Sequence, residues 1–229
     1  MVEIPTADPG ATQICLIRHG ETAWNAESRL QGQLDIALNE TGVQQARAAG
    51  RWLKRAGITA LYASDLQRAR RTAELIGESL ALSPRLTPAL RERCYGIFEG
   101  LTHVEAQSRH PEIYVAFERR DPACDFETGE TLYALFERVT RQLQVIAAQH
   151  PGEKVALVSH GGVLDIINRF VRGKSLDSPR DFLIPNAALN WIAAVEGDIV
   201  PGAVNSVWQI KTWAETAHLQ AGVLDELPS

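Results

Sequence analysis

Short runs of consecutive apolar residues alternate along this chain with longer stretches in which apolar residues recur at helical spacing. The runs lie at 14–17, 58–63 and 155–159, and each predicts a strand buried on both faces of a sheet. The recurring positions predict three long helices with the apolar stripes Val43, Ala46, Gly50 and Leu53; Leu66, Ala69, Ala73, Ile76 and Leu80; and Leu132, Leu135, Phe136, Val139, Leu143 and Ile146. Strands that alternate with helices predict a three-layer α/β/α fold around a mostly parallel sheet.

Capping residues mark where the predicted helices begin. Asn39 is expected to cap the first long helix, and the pair Ser64-Asp65 the second. Thr102 and Glu105 form a capping box for a short helix that Pro111 interrupts. We therefore interpret residues 102–127 as a helical insertion that covers the functional site of the protein.

The C-terminal part has a different pattern. Residues 187–195 and 204–212 are strand-like and predict an antiparallel addition to one edge of the sheet, which could also form an interface between two copies. Residues 213–229 show no periodicity, and we expect them to trail on the surface. The prediction is one domain over 1–229, with its core at about 13–212.

Composition narrows the functional classes. With 45% hydrophobic residues the chain can bury a sizeable core, and a net charge of −5 argues against a general nucleic-acid or membrane-surface binder. Cys15, Cys94 and Cys124 form no even disulfide framework. The first twelve residues lack the pattern of a signal peptide, so we expect a soluble cytoplasmic protein.

Candidate chemistry lies at the ends of the three apolar runs. Arg18 and His19 follow the first run, Arg68 follows the second, and His160 follows the third beside two glycines. In an open parallel sheet these carboxyl ends meet at one edge, where ligands bind. Two arginines, two histidines and a helix N-terminus together predict a pocket for a phosphoryl group.

The motifs resemble those of the histidine phosphatase superfamily, whose fold is phosphoglycerate mutase-like. The resemblance covers about residues 13–172. Its motifs are Arg18-His19-Gly20-Glu21-Thr22 with Trp24-Asn25, the stretch from Ser64 to Ala73, Leu90-Arg91-Glu92-Arg93, and Ser159-His160-Gly161-Gly162.

The resemblance implies a mechanism without metal or cofactor. His19 would be the nucleophile that becomes phosphorylated, Arg18, Arg68 and His160 would surround the phosphoryl group, and Glu92 would exchange protons with the leaving group and water. That last role requires a carboxyl that is protonated at the working pH, which partial burial would favour. Predicted substrate-binding residues are Gly20, Glu21, Thr22, Asn25, Gln31, Gly32, Arg70, Tyr95 and Gly161.

Two further interpretations concern the histidines. A metal site built from His19 and His160 is disfavoured because Arg18 and Arg68 would repel a cation. The remaining histidines (His103, His110, His150 and His218) match no motif, and we interpret them as structural or surface residues.

Within this resemblance the chain favours a phosphatase over a mutase. The sequence Phe98-Glu99-Gly100-Leu101, the opening Gly129-Glu130-Thr131 and the short segment between them resemble the phosphatase branch, whereas Arg93 and Tyr95 are shared with mutases. We predict a phosphomonoester hydrolase for a small phosphorylated metabolite, with phosphoglycerate mutase and a non-catalytic phospholigand-binding module as alternatives. Candidate substrate contacts in the cover are Tyr114, Phe117, Arg119 and Arg120, although a solvated amphipathic helix explains the charges better.

Overall fold

The computed structural model describes residues 10–196 and 206–219, and within them one sheet of six strands organises the chain. The strands are β1 (Thr12–Arg18), β2 (Ala60–Ala63), β3 (Arg85–Leu86), β4 (Lys154–Ser159), β5 (Leu189–Glu196) and β6 (Ser206–Glu215). Their order across the sheet is β3-β2-β4-β1-β5-β6. The first four strands are parallel, and β5 and β6 add antiparallel pairing at one edge, as the sequence predicted.

Helices cover both faces of this sheet. They are α1 (Ala23–Ala26), α2 (Glu40–Leu53), α3 (Gln67–Leu80), α4 (His103–Arg109), α5 (Pro111–Glu118), α6 (Leu132–Gln149) and α7 (Gly161–Arg172). Alternate strand residues point to opposite faces, so Ile14 and Leu16 pack with α6 and α7 while Cys15 and Ile17 pack with α2 and α3. This arrangement confirms the predicted three-layer α/β/α fold.

The predicted cover has its own small core. This core is a cluster of the buried rings of Phe98, Tyr114 and Phe126, and the partly buried Phe117 packs against it. The proposed substrate contacts of Tyr114 and Phe117 are therefore not borne out, because these rings face one another inside the cover. Arg120 is held by Asp165 of α7 at 2.6 Å, and Arg119 is exposed.

The predicted Ser64-Asp65 cap needs correction. Helix α3 begins at Gln67 after Leu66, and the Gln67 N–H donates to the carboxylate of Asp35, a distant loop residue, rather than to Ser64 or Asp65. Asp65 instead forms a two-pronged ion pair with Arg91, which no local pattern reveals. By contrast, the Asn39 cap and the Thr102–Glu105 capping box are present as predicted.

The chain beyond β5 differs from the predicted boundaries. Strand β6 runs to Glu215, three residues into the segment predicted to be a surface tail, and Leu219 is buried against Ala48 and Ala187. The rest of the predicted tail, 220–229, lies outside the described residues, as does the 197–205 connection. Among the helices of the described residues, none has the length and apolarity to cross a lipid bilayer.

Candidate active site

The carboxyl ends of β1, β4 and β2 lie side by side and bring the predicted residues together. His19 follows β1 and donates its backbone N–H to Ser159 at the end of β4, while Ser64 after β2 donates to Val158 of the same strand. His160 follows β4 directly, and its ring centroid is 5.2 Å from that of His19. The sheet order therefore converts three separate motifs into one cluster, as expected for this edge of a parallel sheet.

The His19 ring is held in one orientation by its own loop. Its Nδ1 lies 2.8 Å from the backbone oxygen of Gly20. A carbonyl oxygen accepts hydrogen bonds and cannot donate them, so Nδ1 carries the proton and Nε2 keeps its lone pair. This is the tautomer that a nucleophilic Nε2 requires.

Both histidines of the cluster are kept neutral. Burial lowers the pKa of His19 well below its usual value, and the charges of Arg68 and Arg18 lower it further. Burial and the same two arginines, together with His19, also lower the pKa of His160. Neither ring nitrogen of His160, which is fully buried, has a hydrogen-bond partner among the described residues.

Arg68 is aimed into the cluster by the loop that follows α1. Its side chain is 1% exposed, and its two terminal nitrogens donate to the carbonyls of Gly32 and Leu34 at 2.7 and 2.8 Å. Gly32 has a φ of +52° and lies against Glu99, where a side chain would clash. Burial lowers the pKa of Arg68 to about 10, so the guanidinium stays charged at neutral pH. Gln31 is buried in the same loop, and its Oε1 has no partner in the described part of the chain.

Glu92 enters the cluster from the loop before α4. It is 8% exposed, and its two carboxylate oxygens accept the backbone N–H groups of Arg93 at 2.8 Å and Gly162 at 3.0 Å. A Cβ at position 162 would collide with this carboxylate, whereas a Cβ at position 161 would only be in ordinary van der Waals contact with Arg18 and Glu92. Gly162 at the start of α7 therefore allows the carboxylate to lie directly beside the histidine and arginine cluster.

The surroundings of Glu92 are charged and aromatic. Arg93 is buried, donates to the carbonyls of Glu130 and Cys124, and lies 4.6 Å from the Phe126 ring centroid. The half-buried Tyr95 is within electrostatic range of Glu92 and Asp165, and burial raises the pKa of its hydroxyl. The Tyr95 ring packs against Phe117 and Phe126 of the cover, and its role in substrate binding stays a prediction.

The other predicted substrate-binding residues divide into two groups. Gly20 lets the loop after β1 lie directly against α2, since any side chain there would strike the Gly42 backbone. Thr22 and Asn25 bond each other in a capping box that begins α1, and Glu21 bonds Gln45 and Asn39. These residues shape the loop beside His19. Arg70 is not brought into the cluster: its side chain is 50% exposed and pairs with Glu74 on the outer face of α3.

Two residues of the cluster were missed by the sequence analysis. Asn186 donates to the backbone oxygen of His19 at 2.6 Å, and Thr72 accepts from the backbone N–H of Gly20 at 3.0 Å. Asn186 belongs to no quoted motif, and 167 positions separate it from its partner. Thr72 lies within the quoted second motif one turn after Arg68, and that spacing was the available signal.

Among the described residues, no group of three or more His, Cys, Asp or Glu side chains is arranged to hold a metal ion. In this cluster the positive charge comes from Arg18 and Arg68, and arginines are suited to the electrostatic stabilisation of a phosphoryl group.

The lowered pKa values of His19 and His160 predict a pH-dependent stability. Below about pH 6.5 the unfolded chain binds protons that the folded protein excludes, so the free energy of unfolding falls as the pH falls. The slope is up to about 1.4 kcal/mol per pH unit for each histidine. Urea unfolding in phosphate-free buffer between about pH 6.5 and 5.5 measures it, and His160→Asn should flatten the slope. An unchanged slope in this variant would contradict the assignment.

The fold and the cluster together define a phosphoryl-transfer enzyme of the α/β class. The family model described as "Histidine phosphatase superfamily (branch 1)" matches residues 14–206 of this chain. Phosphoglycerate mutase-like protein 4 of Arabidopsis thaliana is 37% identical over 216 residues, which are 93% of this chain and 89% of that protein. Metal-independent phosphoserine phosphatase of the same plant is 37% identical over 92% of this chain and 84% of its own length.

A solved structure shows the same fold. Mycobacterial hydrolase 2 superposes with a TM-score of 0.81 at 27% identity, over 93% of this chain and 95% of its own. The chain belongs to the histidine phosphatase superfamily. This confirms the family predicted from the motifs and the phosphatase type of enzyme that they imply.

Proposed function

We propose that this protein hydrolyses phosphomonoesters of small metabolites through a phosphohistidine at His19, without a metal ion. The observation that carries the proposal is the Nδ1–H bond of His19 to Gly20, which leaves an unprotonated Nε2 among the charges of Arg18 and Arg68. A neutral imidazole surrounded by fixed positive charge is suited to attack phosphorus while the arginines stabilise the oxygens of the phosphoryl group.

The first step forms the His19 Nε2–phosphorus bond and breaks the bond from phosphorus to the ester oxygen. Glu92 acts as the general acid and donates a proton to the departing oxygen, so an alcohol leaves. In the second step the Glu92 carboxylate takes a proton from water, and the water oxygen attacks phosphorus. The N–P bond breaks, inorganic phosphate is released, and His19 returns to its starting state.

The leaving alcohol would extend from Glu92 towards the cover. Near Tyr95, Arg120 and Asp165 form an ion pair at 2.6 Å, a polar surrounding suited to a polar leaving group. Since one relative is a metal-independent phosphoserine phosphatase, we propose phosphoserine as a first substrate to test. An uncharged sugar would match this surrounding less well.

The proposal is tested by phosphate release from a panel of phosphomonoesters in the presence of a chelator. Release that is unaffected by the chelator is the expected result. A matched pair within the panel, phosphoserine and phosphoethanolamine, differs by one carboxylate, and we expect phosphoserine to be hydrolysed faster, as the phosphoserine phosphatase relative suggests. Release that requires an added metal ion would overturn the proposal.

The same panel separates the alternatives. Conversion of 3-phosphoglycerate to 2-phosphoglycerate without phosphate release would assign the mutase reaction, which the mutase-like relative makes the second candidate. Binding of phosphate esters with neither reaction would assign a binding module.

Two finer predictions belong to the same proposal. Cys15, Cys94 and Cys124 are free thiols, which supports a reducing, cytoplasmic location. Strand β6 has no neighbour on its outer side among the described strands, which supports the predicted homodimer through this edge.

A further inference from the structure

The peptide unit that joins His19 to Gly20 is held at both of its polar atoms. On one side the amide Nδ2 of Asn186 donates to the His19 oxygen at 2.6 Å. On the other side the Gly20 N–H donates to Oγ1 of Thr72 at 3.0 Å. Because oxygen and N–H belong to one planar unit, the two bonds together oppose its rotation.

The Asn186 side chain donates a hydrogen bond just beyond the last main-chain bonds to β1. The ladder between β1 and β5 ends at Ile17 and Leu189, after which the Ala187 N–H still reaches the Arg18 oxygen at 3.0 Å. One peptide further along, the Asn186 side chain supplies the donor in place of a strand. Asn186 is 1% exposed, so water does not compete for this bond.

Thr72 connects the same peptide to the arginine helix. Its hydroxyl donates to the Arg68 oxygen at 2.7 Å, which leaves its oxygen lone pairs for the Gly20 N–H. The side chain is fully buried. Thr72 thus sets the position of the nucleophile loop relative to the turn of α3 that carries Arg68.

The orientation of this peptide affects the His19 ring through the carbonyl of Gly20. The Gly20 carbonyl accepts the Nδ1 proton of His19, and its position follows from the placement of the Gly20 nitrogen. We propose that Asn186 and Thr72 are positioning residues that hold His19 as the Nδ1–H tautomer with Nε2 directed at phosphorus. The inference rests on the proposed function, in which Nε2 is the nucleophile.

The kinetic test uses Asn186→Ala and Thr72→Val. We expect kcat to fall about 10- to 100-fold in each, because a misdirected nucleophile loses rate steeply with small displacements. KM should stay within about threefold of the wild type, since Thr72 bonds the backbone of Arg68 and not its guanidinium. Thr72→Ser retains the hydroxyl and should restore most of kcat. If Asn186→Ala does not fold, Thr72→Val tests the same peptide.

Asn190 provides a matched control on the neighbouring strand. Its buried amide donates to the Leu16 oxygen at 3.1 Å and accepts from the Ala214 N–H at 2.7 Å. Asn190→Ala removes comparable hydrogen bonds from the same region but none from the His19–Gly20 peptide, so kcat should stay near the wild-type value. An equal loss of kcat in Asn190→Ala and Asn186→Ala would overturn the inference, because it would indicate general loosening of the sheet.

Nitrogen-15 NMR of the imidazole gives a readout that is independent of turnover. We expect the His19 signals of the wild type to report Nδ1–H and an unprotonated Nε2, and those of Asn186→Ala and Thr72→Val to shift towards a mixture. Unchanged tautomer signals in both variants would overturn the inference. If activity survived in His19→Asn while the tautomer still shifted in the two variants, the proposed function would fail and the positioning role would stand.

Discussion

Replacing His19 by Asn is expected to lower kcat/KM by at least about 10⁴-fold. The substitution removes the atom that would form the covalent intermediate but retains a side-chain N–H that can reach the Gly20 carbonyl. Arg18, Arg68 and His160 remain, so phosphate binding should persist. Steady-state phosphate release and equilibrium binding of inorganic phosphate measure the two properties separately.

Trapping the intermediate makes the same prediction more specific. Wild-type enzyme quenched during turnover in base should carry one phosphoryl group on the peptide that contains His19, and the His19→Asn protein should carry none. His160→Asn serves as a comparison, because it perturbs the same buried pair of rings and leaves the proposed nucleophile in place. Phosphorylation at another residue, or activity of His19→Asn within tenfold of the wild type, would refute the assignment of the nucleophile.

Substituting Glu92 by Gln should lower kcat by about 10² to 10⁴-fold, with a loss that depends on the leaving group. An alkyl phosphate needs a proton on its departing oxygen, whereas p-nitrophenyl phosphate releases a phenolate that needs none. The phosphorylation step with p-nitrophenyl phosphate should therefore be nearly unaffected. Pre-steady-state bursts with the two kinds of substrate measure the difference.

Glu99 supplies the control for this experiment. It lies in the same loop and accepts the backbone N–H groups of Gln33 and Tyr95, so it shapes the site without touching the phosphoryl group. Glu99→Gln should change the rates with both substrates by the same factor. If Glu92→Gln also affected both substrates equally, Glu92 would be a structural residue and the proton donor would have to be another group.

Several features were predictable because their causes are local. The apolar stripes of α2, α3 and α6 identify the helix faces that are buried, and Asn39 and Thr102 cap helices through bonds to residues three positions away. The placement of His19 and His160 after buried strands followed from the general position of ligands in parallel sheets.

Other features depend on contacts that no local pattern contains. Arg68 and Arg70 lie two positions apart in one basic run, yet one is buried in the cluster and the other pairs with Glu74 in solvent. The two side chains differ because α3 is rotated so that Arg68 lies on its buried face and Arg70 on its exposed face. Likewise, the predicted Ser64-Asp65 cap of α3 is replaced by a bond that the Gln67 N–H donates to Asp35, because Arg68 holds the loop that contains Asp35 beside the helix end.

The sequence by itself determined the layers, the order of the motifs and the candidate residues for phosphoryl transfer, because hydrophobic period and short-range hydrogen bonds are properties of neighbouring positions. The tertiary structure decided the tautomer of His19 and the partners of Glu92, Arg68 and Asn186. These depend on polar atoms that meet only after the strands have paired, and between Asn186 and His19 the separation is 167 positions. A buried polar group must find whatever partner the fold brings to it, and that partner is set by the packing of the whole domain.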